Sequence, residues 1–133
     1  MILKILKYHW RAIIWLVIIA VGCLMPEKDI PGSGFFATLF AKIPYFDKLV
    51  HFLLYFIFTL FLMSGFSRQY SRTLGKAYIY SFLIAFCLGV SIELIQDKIG
   101  RTFDLFDLAG NTFGIIVSLL LFNPVRWILR NIL

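Results

Sequence analysis

Residues 91–114 read SIELIQDKIGRTFDLFDLAGNTFG, gathering Glu93, Asp97, Lys98, Arg101, Asp104 and Asp107 in a chain that is 61% hydrophobic and only 15% charged. The runs on either side, 77–93 and 105–122, are dominated by apolar side chains. A polar turn between two such runs is the reversal of a helical hairpin whose arms are each close to the roughly 20 residues that cross a bilayer.

Working outward, two more runs of the same kind occupy 8–25 and 49–66. The mean hydropathy is +0.89. A soluble domain of 133 residues could not cover so much apolar surface, so the solvent is lipid. The expectation is an all-α membrane protein, a four-transmembrane-helix bundle forming one domain over 1–133, with no length left for a second. The first span is the weakest because Arg11 interrupts it. A snorkelling Arg11, with Tyr8 and Trp10 as interfacial anchors, makes it tenable.

Charge then orients the bundle. Lys4, Lys7 and Arg11 lie at the start of the first span, Arg68, Arg72 and Lys76 between the second and third, and Arg126 and Arg130 after the fourth. These segments share one side and hold eight basic residues and no acidic ones, whereas the other side has five basic residues and all seven acidic ones. The positive-inside rule places both termini in the cytoplasm and the acidic loops outside. The N-terminal run ending in AVGC at Cys23 has some likeness to a lipoprotein signal. Ala20 is a poor fit to such a signal, and cleavage would put the basic 68–76 loop at odds with the termini, so the segment reads as a span. Cys23 and Cys87 fall at different depths, which suits apolar packing better than a disulfide.

In the first outer loop, PGSG at 31–34 precedes Phe35, Phe36, Leu39, Phe40 and Ile43, which recur on one helical face. That spacing predicts a short interfacial helix with its aromatics in lipid, or equally a stripe packed on the bundle top. The basic residues of the inner loop and C-terminus suit headgroups and need no nucleic-acid partner.

Ionisable groups also interrupt the apolar runs. Counted from the cytoplasmic ends of their spans, His51, Glu93 and Asp107 all lie about 22–24 Å in at 1.5 Å per residue, a common depth near the outer edge of the hydrocarbon. Asp47, Lys48, His51 and Tyr55 share a face, as do Glu93, Gln96 and Asp97, and as do Asp104, Asp107 and Asn111. Gly110, Gly114 and Ser118 continue the Asp107 face with small residues that admit a close neighbouring helix. Acids outnumber bases in this layer. Either a carboxylate is protonated or a cationic ligand, a divalent cation among the candidates, completes it.

DKLVHFLLYF from Asp47, then Glu93-x-x-Gln96, Arg101-x-x-Asp104-x-x-Asp107 and Asn111-x-x-Gly114, resemble the VanZ-like integral membrane proteins. The resemblance implies a small bacterial envelope protein of the cytoplasmic membrane. The family's founding member is associated with reduced susceptibility to the lipoglycopeptide teicoplanin, a phenotype that supplies no reaction.

Four readings of the polar layer stay open. The first is a buried network of Asp47, Lys48, His51, Glu93, Gln96, Arg101, Asp104, Asp107 and Asn111 that fixes helix order, each such contact being worth about 0.6 kcal/mol. The second is a binding module for a lipid headgroup, a cell-wall precursor or a lipoglycopeptide, with Arg101 and Lys48 suited to phosphate. The third is an enzyme acting on a phosphorylated envelope lipid, with His51, Glu93 and Asp107 as catalytic candidates and Asp47 orienting His51. No zinc-type His pair, Gly-rich phosphate loop or nucleophile elbow supports that chemistry. A transporter is the poorest fit, for no ionisable residue is predicted deep in the inner half.

Overall fold

The computed structural model describes residues 2–25, 34–35, 38, 42–70, 72–99 and 103–132, with side chains from Ile5 to Arg126. These residues form four long helices: α1 (Ile2–Leu24), α2 (Phe46–Gln69), α3 (Leu74–Lys98) and α4 (Leu105–Ile132). No strand occurs among the described residues. All four helices are long and apolar enough to cross a membrane, which makes this a multi-pass membrane protein.

Lipid removes the usual driving force for helix association, because Leu is as comfortable against an acyl chain as against another Leu. The buried faces of the helices are accordingly rich in small or polar residues, although α2 also buries Tyr55, Phe58, Leu62 and Met63. On α3 the buried positions Ala77, Ser81, Ala85 and Gly89 recur every fourth residue. On α1 the buried face is His9, Ala12, Ile19 and Cys23, while Ile14, Val17 and Val21 are exposed. Helix α4 buries Asn111, Gly114, Ile115, Ser118 and Phe122.

The second helix is the hub. It touches each of the other three, and its contact with α4 is the most extensive in the bundle. A glycine explains how closely they meet. A Cβ on Gly114 would sit 2.3 Å from the Phe52 carbonyl oxygen, and one on Gly110 would sit 3.1 Å from the carbonyl oxygen of Lys48. The backbones of α2 and α4 thus touch at the level where His51 leaves α2. Across α2 from there, Trp15 Nε1 of α1 donates to the Leu54 carbonyl at 2.8 Å. The chain enters α2 through Tyr45, whose φ of 61° is left-handed.

Compared with the expected spans, the helices are longer. Helix α4 runs on through Pro124 to Ile132, past the expected end of the fourth span at residue 122. Pro124 removes one backbone hydrogen bond close to the end of the apolar run, where the loss is tolerated. Arg11 lies with its Cζ 4.7 Å from the Trp10 ring centroid, and Lys7 Nζ is 5.7 Å from that of Tyr8. The basic residues of the first span thus rest on its interfacial aromatics. Cys23 is buried, but Cys87 is on the exposed face of α3 and does not serve core packing. The expected interfacial helix depends on Phe36, Leu39 and Phe40, which lie outside the described residues. Phe35, at the start of that segment, is 68% exposed.

Candidate functional site

The end of α1, the start of α2, the end of α3 and the start of α4 meet at one end of the bundle. Their polar side chains form a gradient from surface to interior. Side-chain exposure falls from 45% at Asp47 and 34% at Asp104, through 21% at Lys48 and 16% at Asp107, to 9% at His51 and 0% at Glu93.

At the mouth, Lys48 reaches across from α2 into three carboxylates. Its Nζ lies 2.7 Å from Asp47 Oδ2 and 2.7 Å from Asp107 Oδ1, and it donates to Asp104 Oδ2. Asp104 has a second task, because its Oδ1 accepts the Phe106 backbone N–H at 2.8 Å. That is an N-cap on α4, satisfying one of the amides that a helix start leaves unpaired. The Lys48 ammonium beside it, aided by these backbone donors, holds the Asp104 carboxyl below the usual carboxylate range.

Deeper in, His51 Nδ1–H donates to Asn111 Oδ1 at 3.0 Å. In the neutral imidazole that leaves the lone pair on Nε2, which lies 3.7 Å from Asp107 Oδ2. Glu93 Oε1 is 3.9 Å from His51 Nδ1. Neither Glu93 oxygen has a hydrogen-bond partner, and the nearby Asp104 backbone N–H falls outside hydrogen-bond geometry. Tyr55 Oη and Asn111 Nδ2 are likewise buried without partners. Buried polar atoms without partners give this pocket hydrogen-bonding capacity that its own side chains leave unused.

The expected residues do not all join this cluster. Asp47, Lys48, His51, Glu93, Asp104, Asp107 and Asn111 do. Gln96 turns away toward α1, donating through Nε2 to the Cys23 carbonyl at 2.8 Å. It satisfies one of the carbonyls that end that helix and so ties α1 to α3. Arg101 lies outside the described residues. Asp47 orients Lys48 and not His51, because the residue three before a helical His points at the mouth while the one four before it is drawn to the ammonium beside it. The His51 partners are Asn111, Glu93 and Asp107, all from other helices.

Sequence reasoning missed His9. It is 6% exposed at the opposite end of the bundle, and its Nε2–H donates to Gln69 Oε1 at 3.3 Å. Its spacing with Ala12, Ile19 and Cys23, at steps of three, seven and four along one face, was the available signal.

The VanZ/LLP1 family model matches residues 3–129, so the chain belongs to that family. No curated protein matches it, and no solved structure does either.

Proposed function

We propose that this VanZ-family protein is a binding module of the bacterial cytoplasmic membrane that holds the polar head of an envelope amphiphile at the acidic end of its bundle. Candidate ligands are a phospholipid headgroup, a lipid-linked cell-wall precursor and a lipoglycopeptide. The distribution of basic residues supports cytoplasmic termini and an acidic end that faces outward.

One observation carries the reading. Among the described residues four carboxylates, Asp47, Glu93, Asp104 and Asp107, converge with a single ammonium, that of Lys48, and the most buried of them has no hydrogen-bond partner. A network kept only to order helices gains nothing from surplus buried acid, since removing the charge would stabilise it. The surplus instead favours a ligand that brings positive charge with it, either an ammonium or a bridging cation. Lys48 is already engaged by three acids, so it does not act alone as a phosphate receptor. The graded exposure from Asp47 to Glu93 gives a head a route from the outer surface inward.

Catalysis on a phosphorylated envelope lipid is the second reading. It draws on His51, which Asn111 orients through Nδ1–H, so that Nε2, 3.7 Å from Asp107 Oδ2, is the basic atom. One comparison tests both. Envelope lipids and cell-wall precursors are profiled by mass spectrometry in cells with matched levels of wild type or the Glu93→Gln/Asp107→Asn double variant. In parallel, native mass spectrometry of the purified proteins reads retained ligand. Binding predicts a molecule retained by wild type alone with unchanged cellular profiles. Catalysis predicts a species that appears or vanishes with wild type. Equal retention and equal profiles for two folded proteins would sink both readings.

A further inference from the structure

The acidic end contains two groups of carboxylates, and they differ in what fills them. The outer group, Asp47, Asp104 and Asp107, surrounds the Lys48 ammonium, which stands where a small cation would. The inner group is His51, Glu93 and Asp107, each offering one ligand atom within 4.8 Å of the others. Nothing among the described residues fills it. We infer that the inner group binds one divalent transition-metal ion, of the Zn²⁺ or Mn²⁺ kind.

The strongest support is Glu93. It is 0% exposed, faces His51, and has no hydrogen bond to either oxygen. As a charge, a carboxylate so placed costs several kcal/mol, so it either holds a proton or sits beside a cation. Among the described residues the one ammonium of the cluster, Lys48, is engaged elsewhere, with Asp47, Asp104 and Asp107 as its partners. His51 lies 3.9 Å from Glu93 through Nδ1, but it turns that N–H to Asn111 and makes no hydrogen bond to the acid.

The surroundings are those of a metal ligand set. By donating Nδ1–H to Asn111, neutral His51 keeps the tautomer whose Nε2 can coordinate, 3.7 Å from Asp107 Oδ2, while Glu93 Oε1 approaches from the Nδ1 edge of the ring at 3.9 Å. Asp107 is fixed from its other side, its Oδ1 at 2.7 Å from Lys48 while its Oδ2 faces His51. Outer partners of this kind orient the ligands and keep them basic. Ligands of one ion lie about 3–4 Å apart when each bond is near 2.1 Å, so the three atoms, which lie within 4.8 Å of one another, need close by up to about 1–2 Å. One imidazole with two carboxylates disfavours Mg²⁺ and Ca²⁺, which take all-oxygen shells, and the cluster contains no thiolate to select a softer ion. Three protein ligands would leave a coordination position of such an ion open. An anionic oxygen of the ligand head fits there, and only this last role rests on the binding reading above.

The test is titration of Zn²⁺ alone into the full chain, stripped with chelator and held in nanodiscs of zwitterionic lipid, with calorimetry for affinity and elemental analysis for stoichiometry. The expected result is one ion per chain. His51→Gln and Glu93→Gln should each weaken binding by more than about a hundredfold, and Asn111→Ala by about ten- to a hundredfold. Asp97→Asn, exposed and outside the cluster, should match wild type. Helicity and elution should stay as in wild type. If Glu93→Gln fails to fold, His51→Gln and the wild-type stoichiometry decide the matter. A stoichiometry well below one, or variants that bind as wild type does, would overturn the site. Retained lipid is read separately, with and without chelator. Bound metal without retained lipid leaves the site standing and defeats the binding reading. Lipid retained equally well by stripped protein that takes up no Zn²⁺ does the reverse.

Discussion

The two ends of the bundle each bury a histidine to almost the same extent, 6% exposed for His9 and 7% for His51, yet they do opposite things with it. His9 lies 4.4 Å from the Phe66 ring centroid and donates to the neutral Gln69. Among the described residues no carboxylate pairs with it. His51 is surrounded by Asn111, Glu93 and Asp107, of which two are acids. Burial and residue type are therefore shared, and the partners decide the role: a neutral packing residue at the basic end, a member of an acid-rich pocket at the other. An apolar cavity of about 480 Å³ beside His9, lined by Ile13, Leu16, Phe58 and Leu62, reinforces the contrast. It gives an acyl chain room but offers a charged ligand almost nothing.

Glycines hold both ends together, and exchanging them gives the largest expected effects on stability. A Cβ on Gly114 meets the Phe52 carbonyl oxygen at 2.3 Å and further backbone at 3.1 Å, none of which can move without separating α2 from α4. Gly114→Ala should cost about 3 kcal/mol, read by unfolding in mixed micelles, and should abolish ligand binding because His51 and Asn111 would part. A Cβ on Gly65 instead meets the His9 ring at 2.4 Å, with the Tyr8 carbonyl at 2.7 Å. Gly65→Ala should cost less, about 1–2 kcal/mol, and leave binding intact. Equal loss of binding in both variants would mean that the ends are not separable.

How much of this was legible beforehand depends on which interaction set the position. The four spans follow from hydropathy, because lipid selects for long apolar helices regardless of tertiary detail. The common depth of His51, Glu93 and Asp107 follows from helical rise, and the structure brings those three together. Partners supplied by backbone were invisible: nothing in the residue pattern marks the Cys23 carbonyl as the acceptor for Gln96. Nor could sequence tell that Lys48 would be consumed by three acids, since that depends on how closely Gly110 and Gly114 let α2 approach α4. His9 escaped because one histidine near a basic terminus reads as an interfacial residue, and its phase along α1 needed the buried face to be known.

Glu93 offers the next largest effect, with a sign that separates function from structure. Replacing a buried, unpartnered acid by an apolar side chain of similar length should stabilise the metal-free protein. For Glu93→Met the gain should be about 1–2 kcal/mol, measured as a higher unfolding midpoint in chelator, with ligand retention lost. His9→Ala is the mirror experiment. It removes a packed ring and should destabilise by about 1–2 kcal/mol with retention unchanged. If Glu93→Met destabilised as much as His9→Ala, the acid would be a structural member after all, and the two ends would be alike.

The smallest effect lies at the mouth, where Asp104 both caps α4 and pairs with Lys48. Its folded-state carboxyl is held below the unfolded value of 3.8, chiefly by the Lys48 ammonium. A lowered folded value means that the carboxylate stabilises the fold above the unfolded value, and that this contribution is lost as pH falls through the folded one. Asp104→Asn should therefore be less stable than wild type near neutral pH, and the gap should close as the pH is taken below about 3.8. Because the group is partly exposed, screening should keep the gap under about 1 kcal/mol, and added salt should narrow it. Asparagine still caps a helix, so the cap survives the substitution and the pH-dependent part isolates the ion pair. A gap that persisted unchanged into acid would assign the role of Asp104 to capping alone. Lys48 would then be held by Asp47 and Asp107, and the mouth of the pocket would be set by α2 without help from the turn before α4.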